Sequence, residues 1–198
     1  MQCFDRNYLL ITLVLLFSCL FSCHKASDEA TALSHEQWTN LLQLYVSEEG
    51  LVDYNGFVQD TAALKEYTQF LVNNLPDSTW AYSDSLSYWL NVYNAFTVKL
   101  VVENYPLTSI LSINDGEAWQ LPFISLGDSL YTLDFVEHGV LRVHFNEPRI
   151  HFAVNCASKS CPILLNEAYE ANTLSTQLAR QTQLFINDST KNVFTTDT

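Results

Sequence analysis

Apolar residues recur along this chain at helical spacing for most of its length and at strand spacing only briefly. Trp38, Leu41, Leu42 and Tyr45 share one helical face. Ser34-His35-Glu36-Gln37 ahead of them has the form of a capping box, so a helix of about three turns is predicted. Gly50 ends that pattern, and Leu51 to Tyr54 reads as extended. Asp60 is placed to cap a second helix with the stripe Leu64, Tyr67, Phe70 and Leu71, stopped by Asn73, Asn74 and Pro76. The longest pattern opens at Ser83 and reaches Asn104, short of Pro106. Its apolar positions, from Leu86, Trp89, Leu90 and Tyr93 to Phe96, Leu100 and Val101, cover a broad face and predict a core helix.

Further along, Phe123 to Leu126 and Ser129 to Thr132 flank Gly127-Asp128, a pair suited to a two-residue turn, and predict a hairpin. Thr132 is placed to cap a helix carrying Glu137, His138 and Arg142. Arg149 to Cys156 reads as a strand bounded by Pro148 and by Ala157-Ser158-Lys159-Ser160. Pro162 suits the first residue of a helical turn, which would leave Cys161 at the N-cap. Thr173 opens a last helix with Leu174, Leu178, Phe185 and Ile186. Helices dominate and the few strands stand apart from them, so the expected fold class is α+β, a helix-rich single domain with a small antiparallel sheet.

The N-terminus adds an address. The unbroken apolar run from Tyr8 to Ser22 is shorter than the ~20 residues a spanning helix needs and reads as a secretory signal. Ser22 before Cys23, with Leu20 three positions ahead of it, resembles the lipobox of bacterial lipoproteins. The expected organisation is a signal peptide at 1–22, a polar tether at 23–32 and one domain at 33–198. The expected location is the bacterial cell envelope, at the periplasmic face or the cell surface, with a lipid on Cys23. A formal charge of −13, from 22 acids against nine Lys and Arg, repels phosphate backbones and anionic headgroups. Nucleic acid is therefore excluded as a partner, and membrane attachment falls to the lipid.

Candidate chemistry centres on thiols. After Cys23 only Cys156 and Cys161 remain, with four residues between them, so disulfides alone do not hold the fold. A thiol at a helix start has its anion stabilised by the helix dipole, which makes Cys161 a candidate nucleophile. A disulfide with Cys156 and an inert buried thiol are the alternatives. A nucleophile needs a base, and the domain offers His35, His138, His144 and His151. On a shared strand the odd spacing of His151 and Cys156 separates them by ~16 Å on opposite faces, whereas His151 with Cys161 stays open. Cys156, Cys161, His151 and His138 include zinc ligand types, but their spacing matches no compact signature, so neither metal nor cofactor is expected. Asn91 and Asn94, one turn apart, suit either substrate binding or the fixing of a core.

Three blocks together carry a resemblance: YWLNVYNAFTVKLVVENYP from Tyr88, LDFVEHGVLR from Leu133, and EPRIHFAVNCASKSCPILLNEAY from Glu147. In order and spacing they resemble the family named domain of unknown function 547, over about Gly50 to Asn192. Its pattern picks out Trp89, Asn91, Tyr93, Asn94, Glu137, His138, Arg142, Arg149, His151, Asn155, Cys156, Cys161, Pro162 and Glu167. Residues of these types are the inventory of a thiol-dependent acyl-transfer site, and a Cys at a helix start with a His on a strand is similar to papain-like and transglutaminase-like layouts. The family name assigns no activity, and what this residue inventory suggests is a thiol-dependent hydrolase or acyltransferase acting on a peptide or amide. Cys161 would attack, His138 or His151 would act as base, and Glu137 or Asn155 would orient that base. Asn91, Asn94, Arg142 and Arg149 would contact a peptide or small-molecule substrate. The other class of reading is a non-catalytic envelope binding or structural protein, with a Cys156–Cys161 disulfide and an internal Arg–Glu network. A redox exchanger ranks behind both, because the cysteines are further apart than in a Cys-X-X-Cys unit. Members of the family continue past Phe185-Ile186-Asn187-Asp188 into an aromatic block, so a shortened C-terminal part is expected here.

Overall fold

The helix with the broadest apolar pattern is buried nearly all round. In the computed structural model, which describes residues 33–193, it spans Tyr82–Glu103, and fifteen of its 22 residues are buried. Before it come α1 (Glu36–Tyr45), α2 (Tyr54–Gln59) and α3 (Thr61–Asn73), which makes it α4. α2 and α3 pack against α4, and α1 packs on both of them. The hairpin forms as expected from β1 (Ile124–Leu126) and β2 (Ser129–Tyr131), antiparallel with Ile124 opposite Tyr131. Gly127 takes the left-handed φ of 58° that its turn requires. A π-helical segment, Phe135–Leu141, leads into α5 (Arg142–His144), followed by α6 (Ile150–Ala153) and α7 (Leu174–Ile186). The domain is helix-rich α+β with one small antiparallel sheet. The expected signal peptide, Cys23 and the tether lie outside the described residues.

Several local expectations are corrected. The extended stretch before Tyr54 is shorter than expected, because the Asp53 carboxylate accepts the Gly56 N–H at 3.0 Å and starts α2. Asp60 sits at the N-cap of α3 without capping it, and its carboxylate accepts the Tyr45 hydroxyl at 3.2 Å instead. Residues 149–156 are not a strand: Ile150–Ala153 is a short helix, and the chain becomes extended only at Val154. No helical turn begins at Pro162, and residues 162–165 are irregular, so Cys161 is not an N-cap. The local layout behind the papain-like comparison, a Cys at a helix start and a His on a strand, is absent.

Aromatic residues fill the α1–α3 side of the core. Trp38 stacks on Tyr67 with centroids 5.3 Å apart and planes within 3°. His35, 1% exposed, lies among Tyr67, Phe70 and Tyr88. Its Nδ1 is 2.8 Å from the Tyr67 hydroxyl, and its buried Nε2 has no hydrogen-bond partner among the described residues. Its backbone N–H donates to Glu170 Oε1 at 2.8 Å. A charged imidazole here would lose its hydration, and burial lowers the His35 pKa from its ordinary 6.5 to about 4.

This predicts a pH dependence. Between those two values the unfolded chain holds a proton that the folded chain refuses, so the His35 contribution is complete above pH 6.5 and is lost as pH falls toward 4. The loss amounts to about 3 kcal/mol. Glu170 works in the opposite sense, since burial raises its pKa and the folded chain protonates it first. Urea unfolding of the wild type against His35→Gln, from pH 7 to 4, should show a flatter acid-side slope for the variant. An unchanged slope would assign the acid sensitivity elsewhere.

Candidate functional site

The residues singled out for chemistry fall into two groups, both seated on α4. In the first, Asn94 acts as though it were a residue of a neighbouring strand. Its Nδ2 donates to the Ala153 carbonyl at 3.0 Å, and its Oδ1 accepts the Asn155 N–H at 2.9 Å. Asn91 treats Tyr169 the same way, donating to its carbonyl at 2.8 Å and accepting its N–H at 3.0 Å. Both amides are buried and, among the described residues, are spent on backbone. That is the core-fixing alternative for this pair.

Asn155 in turn braces the cysteine loop. Its Nδ2 donates to the Pro162 carbonyl at 2.7 Å, and its Oδ1 accepts the Ala157 N–H at 3.0 Å. Ala157 adopts φ 55°, a left-handed conformation that costs an L-residue energy and persists where its surroundings over-determine it. Within this brace the sulfurs of Cys156 and Cys161 are in bonding contact, with Cα atoms 6.0 Å apart, a pair fit to form a disulfide. Both cysteines are half-buried at the base of the exposed Ser158-Lys159-Ser160 tip.

The second group is built by the π-helix. In an α-helix, residues five apart diverge, whereas the wider π-turn, in which the Arg142 N–H reaches the Glu137 carbonyl, brings them together. Arg142 Nη2 and Nε donate to Glu137 Oε1 at 2.8 and 3.2 Å, and Nη2 also meets His151 Nδ1 at 3.2 Å. A guanidinium only donates, so His151 Nδ1 is the acceptor and its proton sits on Nε2. Tyr93 is buried beneath this array, and its phenol pKa is raised first by burial and then by the Glu137 carboxylate. Glu137, Arg142 and His151 are thus brought together. His138 is exposed, and its Nε2 lies 3.9 Å from Asp134 Oδ1. Arg149 closes on Glu147, whose pKa its hydrogen bond lowers, and also donates to the Ser175 carbonyl. Among the described residues no hydrogen bond joins the Cys161 sulfur to a histidine, and no group of three or more His, Cys, Asp or Glu is arranged to hold a metal.

The matched segment takes in all of these residues: the sequence model described as protein of unknown function, DUF547, covers residues 78–186. The chain is a DUF547 protein. No curated protein matches it, and no solved structure does. Within the DUF547 segment two polar residues escaped the sequence reading. Gln177 bridges Ala168 and Glu170, and Gln181 donates to the Ile163 carbonyl. Their only sequence signal is position, since Gln177 and Gln181 interrupt the apolar stripe of Leu174 and Leu178.

The two groups differ in what their loss should cost. Asn94→Ala strands a carbonyl and an N–H of inward-facing backbone, and should destabilise the domain by about 2–4 kcal/mol. Arg142→Ala removes a half-exposed pair and should cost less than about 1 kcal/mol. Urea midpoints of the two variants check the ranking, and a costlier Arg142→Ala would make the Glu137–Arg142 pair, rather than the Asn94 amide, the structural anchor.

Proposed function

We propose that this DUF547 chain is a lipid-anchored cell-envelope module that acts by binding, with Cys156–Cys161 closed as a disulfide. One observation carries the reading: the sulfur of Cys161, the candidate nucleophile, lies against that of Cys156. A cysteine sulfur tied up in a disulfide cannot ionise to the thiolate that would attack, and it has no proton to give a base. The ion pairs support the same reading. Each arginine among the described residues closes on a glutamate, Arg142 on Glu137, Arg149 on Glu147 and Arg180 on Glu167, as three separate, partly exposed pairs. Among the described residues these pairs leave no bare arginine for a phosphate polymer, in keeping with a net charge of −13. The lipid on Cys23 would supply the membrane contact, and the ligand would be a peptide or small molecule of the envelope.

A thiol hydrolase built on Cys161, with His151 or His138 as base and Glu137 or Asn155 orienting it, requires the reduced pair. The deciding experiment is intact mass of the chain isolated without reductant, before and after alkylation. The expected result is a mass two hydrogens below the dithiol and no alkyl adduct on Cys156 or Cys161. Two free thiols, with Cys161 labelled faster than Cys156 by an electrophilic probe, would overturn the binding reading and favour the hydrolase.

A further inference from the structure

A disulfide that staples a fold and one that exchanges with other thiols differ in what holds the surrounding chain when the bond opens. In this domain the chain is held by other means. Asn155 accepts the Ala157 N–H just inside the loop and donates to the Pro162 carbonyl just beyond Cys161, and its own N–H is fixed to Asn94 on α4. The Cys161 N–H donates to the Ser158 carbonyl at 3.1 Å, which closes the turn a second time. A bond enclosing four residues also removes little chain entropy from the unfolded state, because that term grows with the length of the loop. Access is open on the other side. Both cysteines are half-buried rather than sealed, and the Ser158-Lys159-Ser160 tip above them is exposed. Lys159 places a cation on the loop that must bear a departing thiolate.

We propose that Cys156 and Cys161 form a thiol–disulfide exchange site whose co-reactant is a dithiol of the envelope. This rests on the oxidised state of the pair and goes beyond it. In the exchange, a donor thiolate attacks one of the two sulfurs, the S–S bond breaks, and its electron pair leaves on the other sulfur, which takes up a proton. The donor's second thiolate then attacks its own sulfur in the mixed disulfide and releases the remaining cysteine. In sum, the donor dithiol becomes a disulfide and the Cys156–Cys161 disulfide becomes two thiols, with two electrons and two protons transferred. The Asn155 brace leaves the thiols facing each other, so the same exchange run in reverse, with the co-reactant's disulfide taking up the two electrons and two protons, re-forms the bond without a search.

The test is a redox titration of the full chain in mixtures of reduced and oxidised glutathione without denaturant, acid-quenched, alkylated and read by mass. The wild type should open both sulfurs together across one midpoint while keeping its near-ultraviolet circular dichroism. Asn155→Ala should move the midpoint about tenfold in thiol ratio toward the reduced side, the equivalent of one lost hydrogen bond. Asn155→Asp, which keeps an acceptor for the Ala157 N–H and replaces the donor to the Pro162 carbonyl with an oxygen, should move it in the same direction and guards against an alanine variant that fails to fold. The doubly substituted Cys156→Ser, Cys161→Ser chain should melt within a few degrees of the wild type. A bond that opens only in denaturant, a reduced chain that loses its tertiary signal, or an unmoved midpoint in both Asn155 variants would each overturn the exchange site. Free thiols in the untreated protein would instead be a failure of the oxidised reading, visible before the titration begins.

Discussion

Backbone that is buried but belongs to neither helix nor sheet still has to satisfy its N–H and C=O groups, and in this domain that requirement governs the C-terminal half. Between α6 and α7 the chain runs irregularly, yet Val154, Leu164, Leu165, Ala168 and Tyr169 are buried. Each unpaired group there would cost about 1–3 kcal/mol. The solution is chemical rather than topological. Four buried side-chain amides, Asn91 and Asn94 from α4 and Gln177 and Gln181 from α7, serve as partners for this backbone. An amide side chain carries the same donor and acceptor as a peptide group, so it stands in for the missing strand.

The rest of the site follows from that substitution. Because Asn94 fixes both Ala153 and Asn155, α6 is held with His151 toward Arg142, and Asn155 is held where it braces the cysteines. The π-turn then sets Glu137 against Arg142, five residues apart, over Tyr93 of the same α4 helix. The cysteine loop is thus tied to α4 through Asn94, and the carboxylate–guanidinium–imidazole array lies over Tyr93 of the same helix. Among the described residues no hydrogen bond joins the Cys161 sulfur to His151 or His138.

The sequence made some of this legible. The α4 helix was readable because its apolar positions run for 22 residues without a breaker, and the hairpin because Gly127-Asp128 admits the turn it needs. The supposed strand at 149–156 failed for an instructive reason. Ile150, Phe152 and Val154 alternate as strand residues do, but an extended chain whose partner is a side chain needs no sheet, and the segment before Val154 was free to coil into α6. Pro162 misled because its fixed φ suits a helix start and an extended chain alike. The Asn91 and Asn94 pair was visible as polar residues inside an apolar run. The meeting of Glu137 with Arg142 was not, because α-helical spacing puts them on different faces.

Amides that replace a strand should confer the protection of one. The most direct test is native-state hydrogen exchange, followed residue by residue, at the N–H groups of Asn155, Tyr169 and Glu170, which donate to Asn94, Asn91 and Gln177. These three protons should exchange only through global unfolding, with the same opening free energy as the core amides of α4. Exchange at the rate of the exposed Ser158–Ser160 tip would contradict the account.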